Sequence, residues 1–441
     1  AMVVPMAAQT TAFAADDKEI TYWNIAVESP DKDIVTAAVD KFNKETKSGY
    51  TVNQVAIQND TYKEKLVIAM SSGECPDMYS SWSGGPMYEY IDSGFAQPID
   101  DLLDQSDIKD KLLDAAIEQG SYKGHVYAIP YMNVVLAGIF YNKDMFKQYG
   151  LEEPKTLADL ENICATLKEN GITPFALANA SKWTGSMYFM SLAARYGGLE
   201  PFQNAVAGTG KFTDDCFIKA GEKIQEWVKN GYFPDGVNSL SEDDGQAKQL
   251  LYQETAGMML GGSFYTGTFQ TDSEEFYQKK IGWFPIPAID DSDADPTIQI
   301  GTVGDQFISF NCEGDKLAAA FECAADHLSD EVEDMIYSTG KIAPVKDAGD
   351  HIKDPVVKEI FDAAQEASSI QLWYDQYLPT SVASAHLDGL QEVFGLTKTP
   401  QEAQEEMQKA MDEYLSTKSD SGAADDTAEE ATDDAAADDA E

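Results

Sequence analysis

Glu19-Ile20-Thr21-Tyr22-Trp23 is a run of β-favouring residues, and the alternation it opens decides the fold. Residues 33–47 carry Ile34, Ala38 and Phe42 at helical spacing and stop at Ser48-Gly49. Residues 50–57 read as a second strand. Tyr62, Leu66, Ala69 and Met70 then mark a second helix that ends at Gly73. Cys75-Pro76-Asp77-Met78-Tyr79 opens a third strand, which runs into the loop Ser81-Trp82-Ser83-Gly84-Gly85. This alternation predicts an α/β fold, a mostly parallel sheet with helices on both faces. Ligands of such sheets bind beyond the carboxyl ends of the strands, where Trp23, Asn24 and Trp82 stand.

The rhythm repeats further along the chain. Residues 126–130 and 136–141 are strand-like, and Thr156-Leu157-Ala158-Asp159 has the form of a capping box. It opens a helix through Leu160, Ile163, Cys164 and Leu167, closed by Asn170-Gly171. Residues 173–177 form another strand, with Trp183 in the polar loop after it. Two α/β lobes joined near residues 131–141 suit this pattern better than one large sheet. A length of 441 residues, at about 150 per domain, allows two or three.

Composition narrows the partner. The chain carries 31 basic and 77 acidic residues, a formal charge of −46, which repels phosphate backbones and anionic lipid surfaces. Nucleic acid is excluded as a partner. Arg195 is the single arginine, and bidentate recognition of phosphate or carboxylate usually rests on arginine forks. A phosphorylated or uronic ligand is therefore disfavoured against a neutral one. Five cysteines without a CxxC spacing make no disulfide framework. Cys164 belongs with a helix's apolar face, and a pairing such as Cys312 with Cys323 stays open.

The ends read differently. Residues 2–8 are largely apolar and Ala12-Phe13-Ala14 is an A-x-A site, so 1–14 is expected to be the remnant of an export signal. Residues 419–441 hold ten acids, eight alanines and no base, the composition of a disordered, solvated tail. No run of about 20 apolar residues is present to span a membrane.

Enzyme and metal motifs fail on inspection. Gly210-Lys211 lacks the rest of a phosphate loop, and Gly261-Gly262-Ser263-Phe264-Tyr265 ends in Tyr where a nucleophile elbow needs Gly. His125, His327, His351 and His386 are scattered. Asp291, Asp293 and Asp295 alternate like a calcium loop, but Pro296 and Thr302 occupy its turn-glycine and bidentate-glutamate positions. No cofactor or metal is expected. Catalytic carboxylate pairs meet in space rather than in sequence, so an exported glycoside hydrolase stays open, as does a surface adhesin. What stands out is Trp23, Trp82, Trp183 and Trp373-Tyr374, each beside Asn, Ser, Gly, Asp or Gln. Flat aromatic faces cover the C–H surfaces of sugar rings while amides and carboxylates accept from hydroxyls. Trp283, inside an apolar run, and Trp227, at helical spacing behind Ile224, read as core.

From about residue 20 to 414 the order of segments resembles the extracellular solute-binding proteins of sugar ABC transporters, the maltose-binding-protein-like group. The resemblance rests on Gly124-His125-Val126-Tyr127-Ala128-Ile129-Pro130-Tyr131 and on Phe140-Tyr141-Asn142-Lys143-Asp144-Met145-Phe146. Gly150-Leu151, Pro154-Lys155-Thr156, Gly257-Met258-Met259-Leu260-Gly261 and Gly304-Asp305-Gln306-Phe307-Ile308-Ser309 extend it. Leu157 departs from it, since many members carry Trp there.

The resemblance implies two lobes that close like jaws, with three crossings of the chain between them. Lobe one would take 15–135 and 282–330; lobe two would take 136–281 and 331–418. It implies no catalysis, a sugar as ligand, and the permease subunits of an ABC importer as partners. The single arginine and the separated tryptophans make that sugar a neutral oligosaccharide, and a monomer is expected. The protein would sit outside the cell membrane, surface-associated or periplasmic. Carried over by position, Trp23, Asn24, Trp82 and Asp305 would contact ligand from lobe one. Tyr131 and Asn133 would do so near the hinge, and Trp183, Phe264, Trp373, Tyr374 and Asp375 from lobe two.

Overall fold

Residues 18–430 are described in the computed structural model. In chain order the strands are β1 (Glu19–Asn24), β2 (Thr51–Ala56), β3 (Met78–Ser81), β4 (Ser121–Tyr122), β5 (His125–Val126), β6 (Ala128–Pro130) and β7 (Val135–Asn142). They continue as β8 (Thr173–Phe175), β9 (Ala256–Gly262), β10 (Ile281–Phe284), β11 (Gln299–Thr302), β12 (Phe307–Phe310) and β13 (Ile370–Gln371). One sheet has the order β2-β1-β3-β12-β6 and another β13-β11-β7-β9-β8, with β10 also on β7.

Each sheet builds a lobe. In the first, β1 buries Ile20 and Tyr22, and helix Asp31–Glu45 lays Ile34, Val35, Ala38, Val39 and Phe42 into the same core. Burial of each of the larger ones, such as Ile34, Val35 and Phe42, is worth roughly 1.5–3 kcal/mol. β1 runs parallel to β2 and β3, as the βαβ rhythm requires. The sheet is mixed because β12, arriving from the other lobe, pairs antiparallel with β3 and β6. In the second lobe β7 is buried at every position, as a central strand covered on both faces must be. The expected capping box forms there. Thr156 Oγ1 accepts from Asp159 N at 3.2 Å, and Asp159 Oδ2 accepts from Thr156 N at 3.0 Å. Trp283, Trp227 and Cys164 are buried, as their patterns indicate, and all five cysteines are free.

The lobe boundaries differ from those expected. β10 pairs antiparallel with β7, Trp283 opposite Phe140, and β11 pairs antiparallel with β7 at Gly301 and Leu136. Residues 281–302 therefore belong to the second sheet. The sequence enforces this at Gly138, where a Cβ would lie 2.2 Å from the Trp283 ring. Helix Asp330–Ser338 packs on helix Asp31–Glu45 and so sits with the first lobe. The chain crosses between the lobes at 131–134, at 303–306 and after residue 346. Residues 344–346 are still pinned to 111–113 of the first lobe by Leu113 N to Pro344 O and Lys346 N to Lys111 O, both 3.0 Å.

The final helix, Pro400–Glu430, continues through the first part of the segment expected to be a disordered tail. Ala423, Ala424 and Ala428 are strong helix formers that extend a helix already nucleated. The expected signal remnant and residues 431–441 lie outside the described residues.

Candidate functional site

Where the lobes face each other they enclose a cleft of about 1290 Å³, solvent at its mouth included. The first lobe supplies the loop after β1, the start of helix Asn59–Ser72 with Lys63, and Trp82 after β3. The second supplies Trp183 at the start of helix Trp183–Gly197, Phe264 after β9, and Trp373 and Asp375 after β13. Asp305 and Gln306 enter from the second crossing. Six of the residues expected to meet ligand, Trp82, Trp183, Phe264, Asp305, Trp373 and Asp375, thus share one cavity.

The other five do not line it. Trp23 packs beside Tyr62, Leu66 and Tyr79, under the helix that follows β2. Asn24 is fully buried, and its Oδ1 accepts from Ala26 N at 3.0 Å, shaping the loop that lines the cleft. Tyr131 is buried with its hydroxyl donating to Gln306 Oε1 at 2.7 Å. Asn133 is taken up by the hinge: Oδ1 accepts from Ile342 N at 2.7 Å, and its carbonyl accepts from Asp305 N at 2.8 Å. Tyr374 points away from its neighbours Trp373 and Asp375 and stacks on Phe202 at 4.2 Å. In a run of three residues only two share a side.

Sequence reasoning missed Glu242 and Asp243 of the second lobe. Glu242 is 8% exposed; its Oε1 accepts from the Tyr265 hydroxyl at 2.6 Å, and its Oε2 has no partner. Burial raises this carboxyl to about 7, against the opposing pull of that hydroxyl. Burial likewise holds Asp305 up at about 6 and raises Asp375, with Lys341 and Lys63 respectively acting the other way. Asp243 is raised by burial and then by the charge of Asp60 across the cleft. Six carboxylates line the cavity, with Lys63 and Lys248 the lysines among its lining residues. The run Ser241-Glu242-Asp243-Asp244-Gly245 was the only signal, and 77 acids drown it.

The lobes touch on both flanks. Ser181 Oγ donates to Asp60 Oδ2 at 2.6 Å, and Asp60 N donates to Asp243 Oδ2 at 3.3 Å. Lys63 lies 3.8 Å from Asp375 and 5.0 Å from the centre of the Trp82 ring. Gly84 and Gly85 abut residues 376–378, where a Cβ would stand 2.3 Å from Gln376 O or 2.2 Å from Leu378 O. Only glycine permits that approach, and Gly84 also has φ +115°. Arg195 is remote from ligand duty: its guanidinium donates to the carbonyls of Ile286 and Ile298 at 2.7–3.1 Å.

Two α/β lobes, three crossings and an aromatic, carboxylate-lined cleft between them define a two-lobed binding protein. Residues 26–325 match the bacterial extracellular solute-binding protein family, and the chain belongs to it. Membership makes this an exported protein, and among the described residues no helix is long and apolar enough to cross a membrane. An uncharacterized ABC transporter extracellular-binding protein of Pyrococcus horikoshii is 28% identical over 64% of this chain and 64% of its own length. The maltotriose-binding protein of Pyrococcus abyssi is 28% identical over 53% of this chain and 46% of its own. The matched region thus spans less than two thirds of these relatives. A solved structure from work on xylan utilization by Caldanaerobius polysaccharolyticus superimposes with a TM-score of 0.81 at 29% identity. It covers 89% of this chain and 99% of that one. A chitin oligosaccharide binding protein shares the fold, with a TM-score of 0.81 at 22% identity over 90% of this chain and 98% of that one.

Proposed function

We propose that this protein is the substrate-binding component of a sugar ABC importer, capturing an oligosaccharide between its lobes and delivering it to the permease. The observation that carries the reading is the cleft itself. Trp82 from one lobe and Trp183 and Trp373 from the other line the same cavity as Glu242, whose Oε2 is buried without a partner. Aromatic faces suit sugar C–H surfaces, and unpaired buried acceptors suit sugar hydroxyls. Family membership and the sugar-binding relatives agree with it.

Neutral sugars fit better than acidic ones. Arg195 is spent on backbone carbonyls, and carboxylates outnumber lysines around the cleft. Several separated tryptophans suit more than one ring. The protein acts as an exported monomer, surface-associated or periplasmic, without turnover of its ligand. Calorimetric titration with neutral oligosaccharides, followed by recovery of the sugar, tests this. Saturable binding with the sugar returned intact is expected; cleavage of the sugar, or tight binding of uronic sugars alone, overturns it.

A further inference from the structure

A second cavity, of about 840 Å³ with its mouth included, adjoins the cleft. The two share Lys63, Trp82, Asp375 and Gln376, so the Lys63–Asp375 pair and the Trp82 ring form the partition between them. Their chemistry differs sharply. The cleft holds six carboxylates. The second chamber is walled by Leu66, Val67, Pro86, Met87, Tyr90 and Leu387, and its charged lining residues are the shared Lys63 and Asp375. It too lies between the lobes, with Thr380, also in its wall, held by Glu89 of the first lobe at 2.6–3.0 Å. Val67, at 48% exposed, is among the large apolar side chains this protein leaves in solvent.

Sugar rings, dense in hydroxyls, leave the polar groups of a ring poorly matched in the apolar chamber. An apolar group attached to a sugar in the cleft is matched by it and gains by leaving water. Resting on the sugar-binding reading above, we infer that the ligand is a glycan bearing an apolar O-acyl or O-aryl substituent. The rings lie in the acidic cleft and the substituent passes the Trp82 partition into the second chamber. The two cavities share four wall residues, and that adjacency commits the occupant to the same molecule.

The test titrates the full chain with neutral oligosaccharides, each in free form, as its 4-nitrophenyl glycoside and in partly O-acetylated form. At least one substituted form should bind about tenfold or more tightly than its free parent. Ser384 is exposed on helix Thr380–Phe394 and lines the chamber, so Ser384→Trp fills it from the surface without touching the core. Val67→Glu places a charge there from another exposed position. Both variants should bring the substituted ligand down to its parent's affinity while leaving the parent's unchanged. Equal binding of free and substituted forms by the wild type, or a preference that survives both variants, overturns the inference alone. Failure of every form to bind overturns the sugar-binding reading with it.

Discussion

Asn133 Oδ1 accepts the amide hydrogen of Ile342 at 2.7 Å, joining the first crossing between the lobes to the chain that leads into the third. Its own carbonyl accepts from Asp305 N in the second crossing. One residue thus ties the first crossing to the second and to the segment that precedes the third. A hinge of this kind fixes where the lobes pivot while leaving the cleft side chains free to meet ligand.

Asn133→Ala leaves the Ile342 amide buried without a partner, which costs about 1–3 kcal/mol. Chemical denaturation should show that loss, while residual sugar affinity of the folded protein stays within a few fold of wild type. Unchanged stability with a large loss of affinity would return Asn133 to the ligand site.

Trp183 and Trp82 are half-buried at the cleft, whereas Trp373 is 3% exposed and part of the second-lobe core as well as the cavity wall. Trp82→Ala and Trp183→Ala should each lower sugar affinity by about 5- to 150-fold, the worth of a stacked ring at roughly 1–3 kcal/mol. Trp373→Ala should lose affinity and, as a core truncation, about 3–5 kcal/mol of stability. Paired measurements of unfolding midpoint and affinity separate the three. A Trp373 variant with a lowered midpoint but intact affinity would make that residue core alone.

What was legible in the sequence was local. The capping box at Thr156 and Asp159, the helical stripe of Ile34, Ala38 and Phe42, and the burial of Trp283 and Trp227 all arise from residues near one another in the chain. The placement of β10 and β11 was not, because antiparallel pairing with β7 is decided by a packing event between Gly138 and Trp283, far apart in sequence. At the site, tryptophans stood out because there are only six, and three of the four expected at ligand line the cleft. Those three are Trp82, Trp183 and Trp373. Glu242 did not stand out among 77 acids; its distinction is a buried, unpaired oxygen, which only the folded chain creates.

That oxygen has a pH signature. Glu242 is held at about 7 by burial, against an ordinary 4.5, so between those values the folded protein binds more protons than the unfolded chain. The contribution to stability is full below about pH 4.5 and is lost as pH rises through 7. A shift of this size is worth about 3 kcal/mol at most. Asp305, held at about 6, acts in the same direction. The melting temperature of the unliganded protein should fall from pH 5 to pH 8, and Glu242→Gln should flatten that slope. An identical slope in the variant would show that Glu242 is not the group titrating.

Closure should depend on Glu89 and Thr380. Glu89, on helix Gly85–Asp92 of the first lobe, accepts from Thr380 N at 3.0 Å and from Thr380 Oγ1 at 2.6 Å. Thr380 is the first residue of helix Thr380–Phe394 in the second lobe, so one lobe caps a helix of the other. Loss of such a cap costs about 0.5–2 kcal/mol. The contact exists only when the lobes are together, so Glu89→Ala penalises the closed state and spares each lobe's own fold. A ligand that touches both lobes binds the closed state, and its apparent affinity falls with that state's population. The expected loss is about 2- to 30-fold in affinity, with an unchanged melting temperature. Small-angle scattering should show less contraction at subsaturating ligand and full contraction at saturation. Unchanged affinity in Glu89→Ala would mean that the ligand and the other contacts between the lobes, among them Asp60–Ser181 and Lys63–Asp375, hold them together without it.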